Sequence, residues 1–334
     1  MANQQRGSVA RVIIDMETAF NEAPAKHVPQ VLYLSSESVR MSRNLVSSKT
    51  LRSSRMPLQP VRGNEEVAGD INFELNPQCG RLLKHALGTY NGGVTNPGGG
   101  YYHEFKIGDL TSLCLEKGFA DLTIKQYLEY SGLKVNTFKV SGKTEGMIDC
   151  TMSLMGCKET VTPTTPILDS SPTDLGCTPF DGFGGSVYLN GSAVAEVTSI
   201  DFTLENGLDG NTYVMNGTGT RYSLPEGTAK VTGTLTALFT DQAFTYYQAA
   251  SAHTEKSLKL EFKAGTGVGT VGNEKMTFYM DEVLFRPQAP VIQGPTGLLI
   301  ELPFEAYYAN YPLTDSEDNA LSVTLLCPTV SFNL

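Results

Sequence analysis

The chain has 334 residues, 40% of them apolar, with 33 glycines, 17 prolines, no tryptophan and a formal net charge of −10. That length suffices for two domains of ordinary size, and the excess of acid argues against a protein that grips nucleic acid by neutralising phosphates. No apolar run approaches the roughly 18–20 residues of a bilayer-spanning helix, so no membrane partner is expected, and the Gly, Thr, Ser and Pro content favours short strands and turns over long helices.

In chain order, Met1 to Arg11 is polar and lacks the apolar run of a signal peptide, so retention in the cytoplasm is expected. From Arg40 to Arg62 come Arg40, Arg43, Lys49, Arg52, Arg55 and Arg62, with no acid among them. Val67, Ile71, Phe73 and Leu75 then keep to one face of a strand. Asn76 is placed to cap a short helix by accepting from its first free N–H groups, and Pro77 suits the first helical position. Leu82, Leu83 and Ala86 lie on that helix. A Gly- and Tyr-rich stretch, 89–111, precedes Ser112-Leu113-Cys114-Leu115-Glu116, and Gly146-Met147-Ile148 follows. The Pro/Thr/Ser-rich segment from Thr160 to Pro179 reads as a linker.

The second half then repeats the first. Val231-Thr232-Gly233-Thr234-Leu235 matches the strand from Val67, with Gly233 standing where Gly69 stands. Thr240 replaces Asn76 as the cap, and Tyr246, Tyr247 and Ala250 replace Leu82, Leu83 and Ala86, all at an offset of 164 residues without a gap. Ser199 to Phe202 parallels Ser38 to Met41, Ser257 to Glu261 parallels Ser112 to Glu116, and Gly297 to Leu299 parallels Gly146 to Ile148. Blocks kept in one order indicate an internal duplication. The expected division is a first domain over 1–159, a linker over 160–180, a second domain over 181–308 and a C-terminal arm over 309–334. In that arm Asp315 to Asn319 form a turn and Leu321 to Leu326 a strand.

Motifs that suggest chemistry do not survive their context. Gly267 to Gly272 fits GxGxxG, but Met276 to Met280 behind it alternates as a strand, so a hairpin loop is expected rather than a dinucleotide site. Gly142-Lys143-Thr144 lacks the earlier glycine of a phosphate-binding loop, where Thr137 stands. His27, His85, His103 and His253 are scattered, and His85 reads as a packed or surface residue. Cys79, Cys114, Cys150, Cys157, Cys177 and Cys327 form no CxxC pair and read as free, buried thiols. Adjacent acids such as Glu65-Glu66 and Asp281-Glu282 point to opposite faces of a strand. No GxSxG elbow is present. No catalytic, cofactor-binding or metal-ligating residue is assigned, and no enzyme is expected.

The two halves differ in charge. Against the basic span 40–62, the matching span of the second half carries Asp201, Glu205, Asp209 and Glu226 with one base, Arg221. Three readings stand: solvated loops of incidental charge, complementary assembly surfaces whose opposite fields fix register, or a nucleic-acid contact. The last lacks the interleaved aromatic residues of a stacking platform.

Several of these blocks, taken in order, resemble the tail tube proteins of long-tailed bacteriophages. They are Glu17-Thr18-Ala19-Phe20 with Pro24, the Arg/Ser/Pro-rich loop before Val67 to Ile71, Leu82-Leu83-Lys84-His85-Ala86-Leu87-Gly88, Asn190-Gly191, and Val231 to Leu235. The resemblance implies a mainly β chain of two tandem β-sandwich or half-barrel domains, each with a flanking α-helix. It implies rings that stack into a hollow tube, the conduit for DNA ejection, placed in the virion tail and held in the host cytoplasm before assembly. Six domains make such a ring, so two-domain chains would form a homotrimer; a homohexamer with the second copy outside is the alternative. The implied partners are other copies of the chain, a tape measure protein and genomic DNA passing through an acidic lumen. Candidate contacts between rings are Arg40, Arg43, Lys49, Arg52, Arg55 and Arg62 against Asp201, Glu205, Asp209 and Glu226. The competing readings are another virion structural protein, such as a decoration protein, and a two-domain β-sandwich binding or adhesion module, for which secretion would be expected.

Overall fold

A computed structural model describes residues 4–22, 28–51, 53–166, 168, 171–215, 217–292, 294, 297–308 and 319–332. The fold is mainly β, with two α-helices. The first half holds β1 (Arg11–Met16), β2 (Gln30–Leu32), β3 (Ser36–Glu37), β4 (Arg40–Val46), β5 (Val61–Glu74), α1 (Gly80–Leu87), β6 (Gly88–Thr95), β7 (Tyr101–Ile107), β8 (Leu113–Phe119), β9 (Gln126–Lys143), β10 (Asp149–Gly156) and β11 (Lys158–Pro163). The second holds β12 (Gly185–Leu189), β13 (Ser192–Ala193), β14 (Val197–Glu205), β15 (Lys230–Leu238), α2 (Asp241–Ser251), β16 (Lys256–Lys263), β17 (Lys275–Phe285), β18 (Leu299–Tyr307) and β19 (Ser322–Cys327). Among the described residues no helix is long and apolar enough to cross a membrane.

Strand order is the same in both halves. In the first, neighbours run β2-β1-β8-β9-β10-β5-β4, with β3 continuing the line of β4 along β5. In the second they run β13-β12-β16-β17-β18-β15-β14. Even an irregularity recurs: the β8–β9 ladder shifts register between Leu113 and Leu115, and the β16–β17 ladder between Lys256 and Leu258. β11 lies along β9 as β19 lies along β17. The 89–111 stretch forms most of the β6–β7 hairpin, which the second half lacks, and β7 pairs with β19.

A 3-10 turn, Pro77–Cys79, leads into α1, and a side-chain oxygen caps that turn as another caps α2. Asn76 Oδ1 accepts from Gln78 N at 3.0 Å and Thr240 Oγ1 accepts from Ala243 N at 3.3 Å. α1 is buried on nearly every side, Arg81 and His85 included with Leu82, Leu83, Ala86 and Leu87, whereas α2 buries one face through Ala243, Tyr246 and Ala250. They pack on equivalent strands, α1 on β9 and α2 on β17. The GxGxxG segment is the β16–β17 hairpin loop.

Ladder register corrects three of the sequence parallels. Met41 lies opposite Val67 and Leu204 opposite Val231, so Met41 corresponds to Leu204, two residues from the match with Phe202. The Ser112–Glu116 block is displaced by two residues in the same way, Leu115 corresponding to Leu258. An even slip leaves the inward face unchanged, which is why sequence alternation could not detect it. The Gly146–Ile148 block is off by one. Gly156 and Ala306 are equivalent partners of Val67 and Val231, so buried Cys150 matches buried Ile300, and exposed Leu299 matches Asp149.

Among the described residues most of the core is one cluster of buried side chains running from Ile14 to Phe332, with Ile13, Cys114 and Leu168 in a small second one. The segment between the halves lies close against the first: Phe180 N donates to Leu75 O at 2.8 Å, and Thr173 N donates to Pro29 O at 2.7 Å. Beyond residues 309–318, which lie outside the described residues and include Asp315 to Asp318, Asn319 is tied to Ile107 by hydrogen bonds at 3.1 and 3.2 Å. All six cysteines are free thiols, Cys177 half-buried and the rest buried.

Candidate assembly surfaces

The halves meet along a strand seam. The C-terminal part of β9 pairs with β14 from Thr137↔Glu205 to Lys143↔Ser199, so β9 lies between β10 of its own half and β14 of the other. Beneath the seam Phe138, Phe202 and Phe278 stack edge to face at 6.3 and 5.2 Å between centroids, an arrangement that aromatic quadrupoles favour. At its end Asn206 is buried and donates through Nδ2 to Ala86 O and Val135 O, each at 3.0 Å. The loop that follows, 206–229, folds over the first half. Its Arg221 is 4% exposed and reaches Gly156 O at 2.7 Å, Val67 O at 3.2 Å, Gly210 O at 2.9 Å and Glu66 at 3.3 Å.

The matching loop of the first half behaves differently. β4 and β5 extend into it as a protruding hairpin, and its tip bears Leu51, 96% exposed, with Met56 and Leu58. Arg40, Lys49, Arg55 and Arg62 are exposed, while Arg52 lies outside the described residues. Arg43 is exposed as well and is paired with the buried carboxylate of Glu65. Of the acids, Glu205 and Asp209 are exposed and Asp201 is half-buried on β14. Glu226 is exposed too, pairing with Lys134 at 2.6 Å and accepting from Leu110 N at 3.2 Å. Among the described residues no ion pair joins the basic set to the acidic one. Glu65 and Glu66 point to opposite faces, one toward Arg43 and one toward Arg221.

A family model described as phage tail tube protein matches residues 7–306. The chain belongs to the phage tail tube protein family. No curated protein matches its sequence. The family is a structural one rather than an enzyme family, and its members are components of the virion tail.

In this tail tube family member several buried charges escaped the sequence reading. Arg81, in the first turn of α1, is buried, donating to Phe332 O at 2.9 Å and facing Asp15 at 3.5 Å. Among the described residues no group of His, Cys, Asp and Glu is arranged to hold a metal. His85 is buried with Nδ1 at 3.1 Å from Thr111 O, and burial pushes its pKa down to about 4. Glu17, in the N-terminal block, is buried and accepts from Gly132 N at 2.7 Å and Asn21 N at 3.0 Å; burial nevertheless pushes its pKa up to about 7.

These two shifts act in opposite directions and largely offset each other between about pH 4.5 and 6.5. For Glu17 the folded value lies above the unfolded one, so its favourable contribution is complete below about pH 4.5 and disappears as pH rises through 7, about 3 kcal/mol in all. For His85 the folded value lies below the unfolded one, so stability falls as pH drops from about 6.5 to 4. Urea unfolding of Glu17→Gln should therefore expose the His85 dependence, with stability rising more steeply than the parent's between about pH 4.5 and 6.5. An unchanged slope would show that Glu17 does not titrate there.

Proposed function

We propose that the chain is a duplicated tail tube subunit, two domains over 1–159 and 181–308, whose rings stack into the hollow tube through which phage DNA is ejected. The observation that carries this reading is the repeated strand order together with the seam that joins the two halves. One sheet edge of each unit is built to receive the next unit, and heterologous contacts of that kind close into rings. With six units to a ring, three chains complete it. Both units keep the full set of core strands, which favours the homotrimer over a hexamer carrying the second unit outside. The acidic balance of the chain suits a lumen that genomic DNA and a tape measure protein must pass without adhering.

The exposed hairpin tip between β4 and β5 is the contact toward the next ring, with Lys49, Arg52 and Arg55 meeting acid there. Glu205, Asp209 and Glu226 are the exposed acids on offer, though Glu226, like Arg43, also makes an ion pair within the chain. Negative-stain microscopy of the purified protein should show hollow tubes of uniform width, and a monodisperse monomer at high concentration would overturn the reading. Reversing Arg52 and Arg55 to Glu together should abolish tubes while circular dichroism stays that of the parent. Normal tubes from that variant would remove the hairpin from the contact.

A further inference from the structure

The internal seam has an unfilled counterpart. Register makes β14 equivalent to β3–β4, Phe202 to Val39 and Thr203 to Arg40. β14 is flanked on both sides, by β15 and β9, whereas among the described residues β4 pairs with β5 alone. The strand that fills the seam, residues 137–143 of β9, corresponds to the stretch after β17, residues 287–292. There the chain leaves the sheet: β17 ends at Phe285, and Val291 and Ile292 stand 66% and 79% exposed. β18 begins only at Leu299, itself half exposed.

We infer that the contact between chains within a ring is a second copy of the β9–β14 seam, formed by β3–β4 of one chain and residues 287–292 of its neighbour. The inference rests on the tube reading above and names the surfaces that reading leaves open. Repeating the operation that carries the first half onto the second places the next chain's first half against this stretch, so one geometry serves both seams.

The free chain carries devices that keep both edges from pairing indiscriminately. Val39, whose twin Phe202 lies opposite Val140, has its N–H bound to Glu37 Oε2 at 3.1 Å and its carbonyl bound by Lys117 Nζ. Lys117 and Glu37 form an ion pair at 2.6 Å, so two side chains hold the place of the missing strand. On the other edge Pro287 and Pro290 remove two backbone donors, which blunts a strand edge without forbidding it. Arg40 then belongs to the seam rather than to the contact between rings.

Cross-linking tests this directly. Lys139, opposite Thr203, corresponds to Gln288 or Ala289, according to whether the second half repeats the β9 bulge opposite Ser153/Leu154. Arg40, Gln288 and Ala289 are all exposed, so cysteine there should leave the fold intact. Opposed residues of an antiparallel pair lie about 4.5–5.5 Å apart at Cα, within disulfide range. The full-length double variants Arg40→Cys/Gln288→Cys and Arg40→Cys/Ala289→Cys would be oxidised after assembly, then read by non-reducing gel and microscopy beside the parent and Arg40→Cys alone. The expected result is a reducible ladder of linked chains in one of the two registers and none in the controls. Tubes without cross-links in either register would overturn the seam and leave the tube standing. Linked closed rings without tubes would keep the seam and overturn the tube. Neither links nor tubes would overturn both.

Discussion

Replacing Arg221 by methionine is expected to destabilise the free chain by about 3–5 kcal/mol, because it strips partners from backbone carbonyls that cannot reach water. The guanidinium satisfies Val67 O and Gly156 O on adjacent strands of the first half and Gly210 O in its own loop. Its ring contact with Tyr213, 5.5 Å to the centroid, and the bond from Tyr213 Oη to Glu65 O fasten the same loop. Methionine matches the bulk and supplies no donor, so those carbonyls lose their partners. Glu66 is exposed and recovers solvation, so it adds little to the cost. The urea midpoint should fall, and limited proteolysis should open first within 206–229. A midpoint within about 0.5 kcal/mol of the parent would mean that water replaces the arginine at those carbonyls.

The second large effect belongs to the paired glycines. A Cβ on Gly69 would stand 2.5 Å from the backbone of Ser38 and Val39, and one on Gly233 would overlap Asp201 O and the Phe304 ring. In both halves the strand crosses its neighbour too closely for any side chain, and backbone cannot yield as a flexible side chain can. Gly69→Ala and Gly233→Ala should each cost about 3 kcal/mol or more, measured by chemical unfolding. Gly297→Ala, with nothing within 4 Å, is the control and should stay within about 0.5 kcal/mol. If only one of the pair is intolerant, the close approach is not a shared requirement of the two halves.

Much of the architecture was legible because it is written in local rules. Alternation from Val67 and Val231 marked β5 and β15, and Asn76, Pro77 and Thr240 marked the helix starts. The constant offset of 164 tied one half to the other. The strand context of Met276 to Met280 turned GxGxxG into a hairpin loop. Alternation has a period of two, however, and it cannot distinguish a correct register from one displaced by two residues. That ambiguity misplaced Met41 and Leu115 against their partners; the single-residue error at Gly146–Ile148 lay in a turn, where no alternation constrains the match.

The charged loops mark the other limit. Counting bases and acids separated a basic loop from an acidic one, yet it could not say which charges are spent inside the chain. Arg43 meets Glu65 and Glu226 meets Lys134, and Arg221, which looked like a minority base, is the residue that fastens the loop. A lone arginine in an acidic, Gly-rich loop was the available signal, and composition gives it no direction. Propensity and capping act over a few residues, so a mainly β chain and the starts of its helical segments could be read locally, as could the recurring blocks that suggest two related halves. It took the fold to show that β9 joins β14, that β19 reaches back to the β6–β7 hairpin, and that among the described residues β4 pairs on one side. Those outcomes depend on which strand ends meet across more than fifty residues of chain, and no local pattern carries that information.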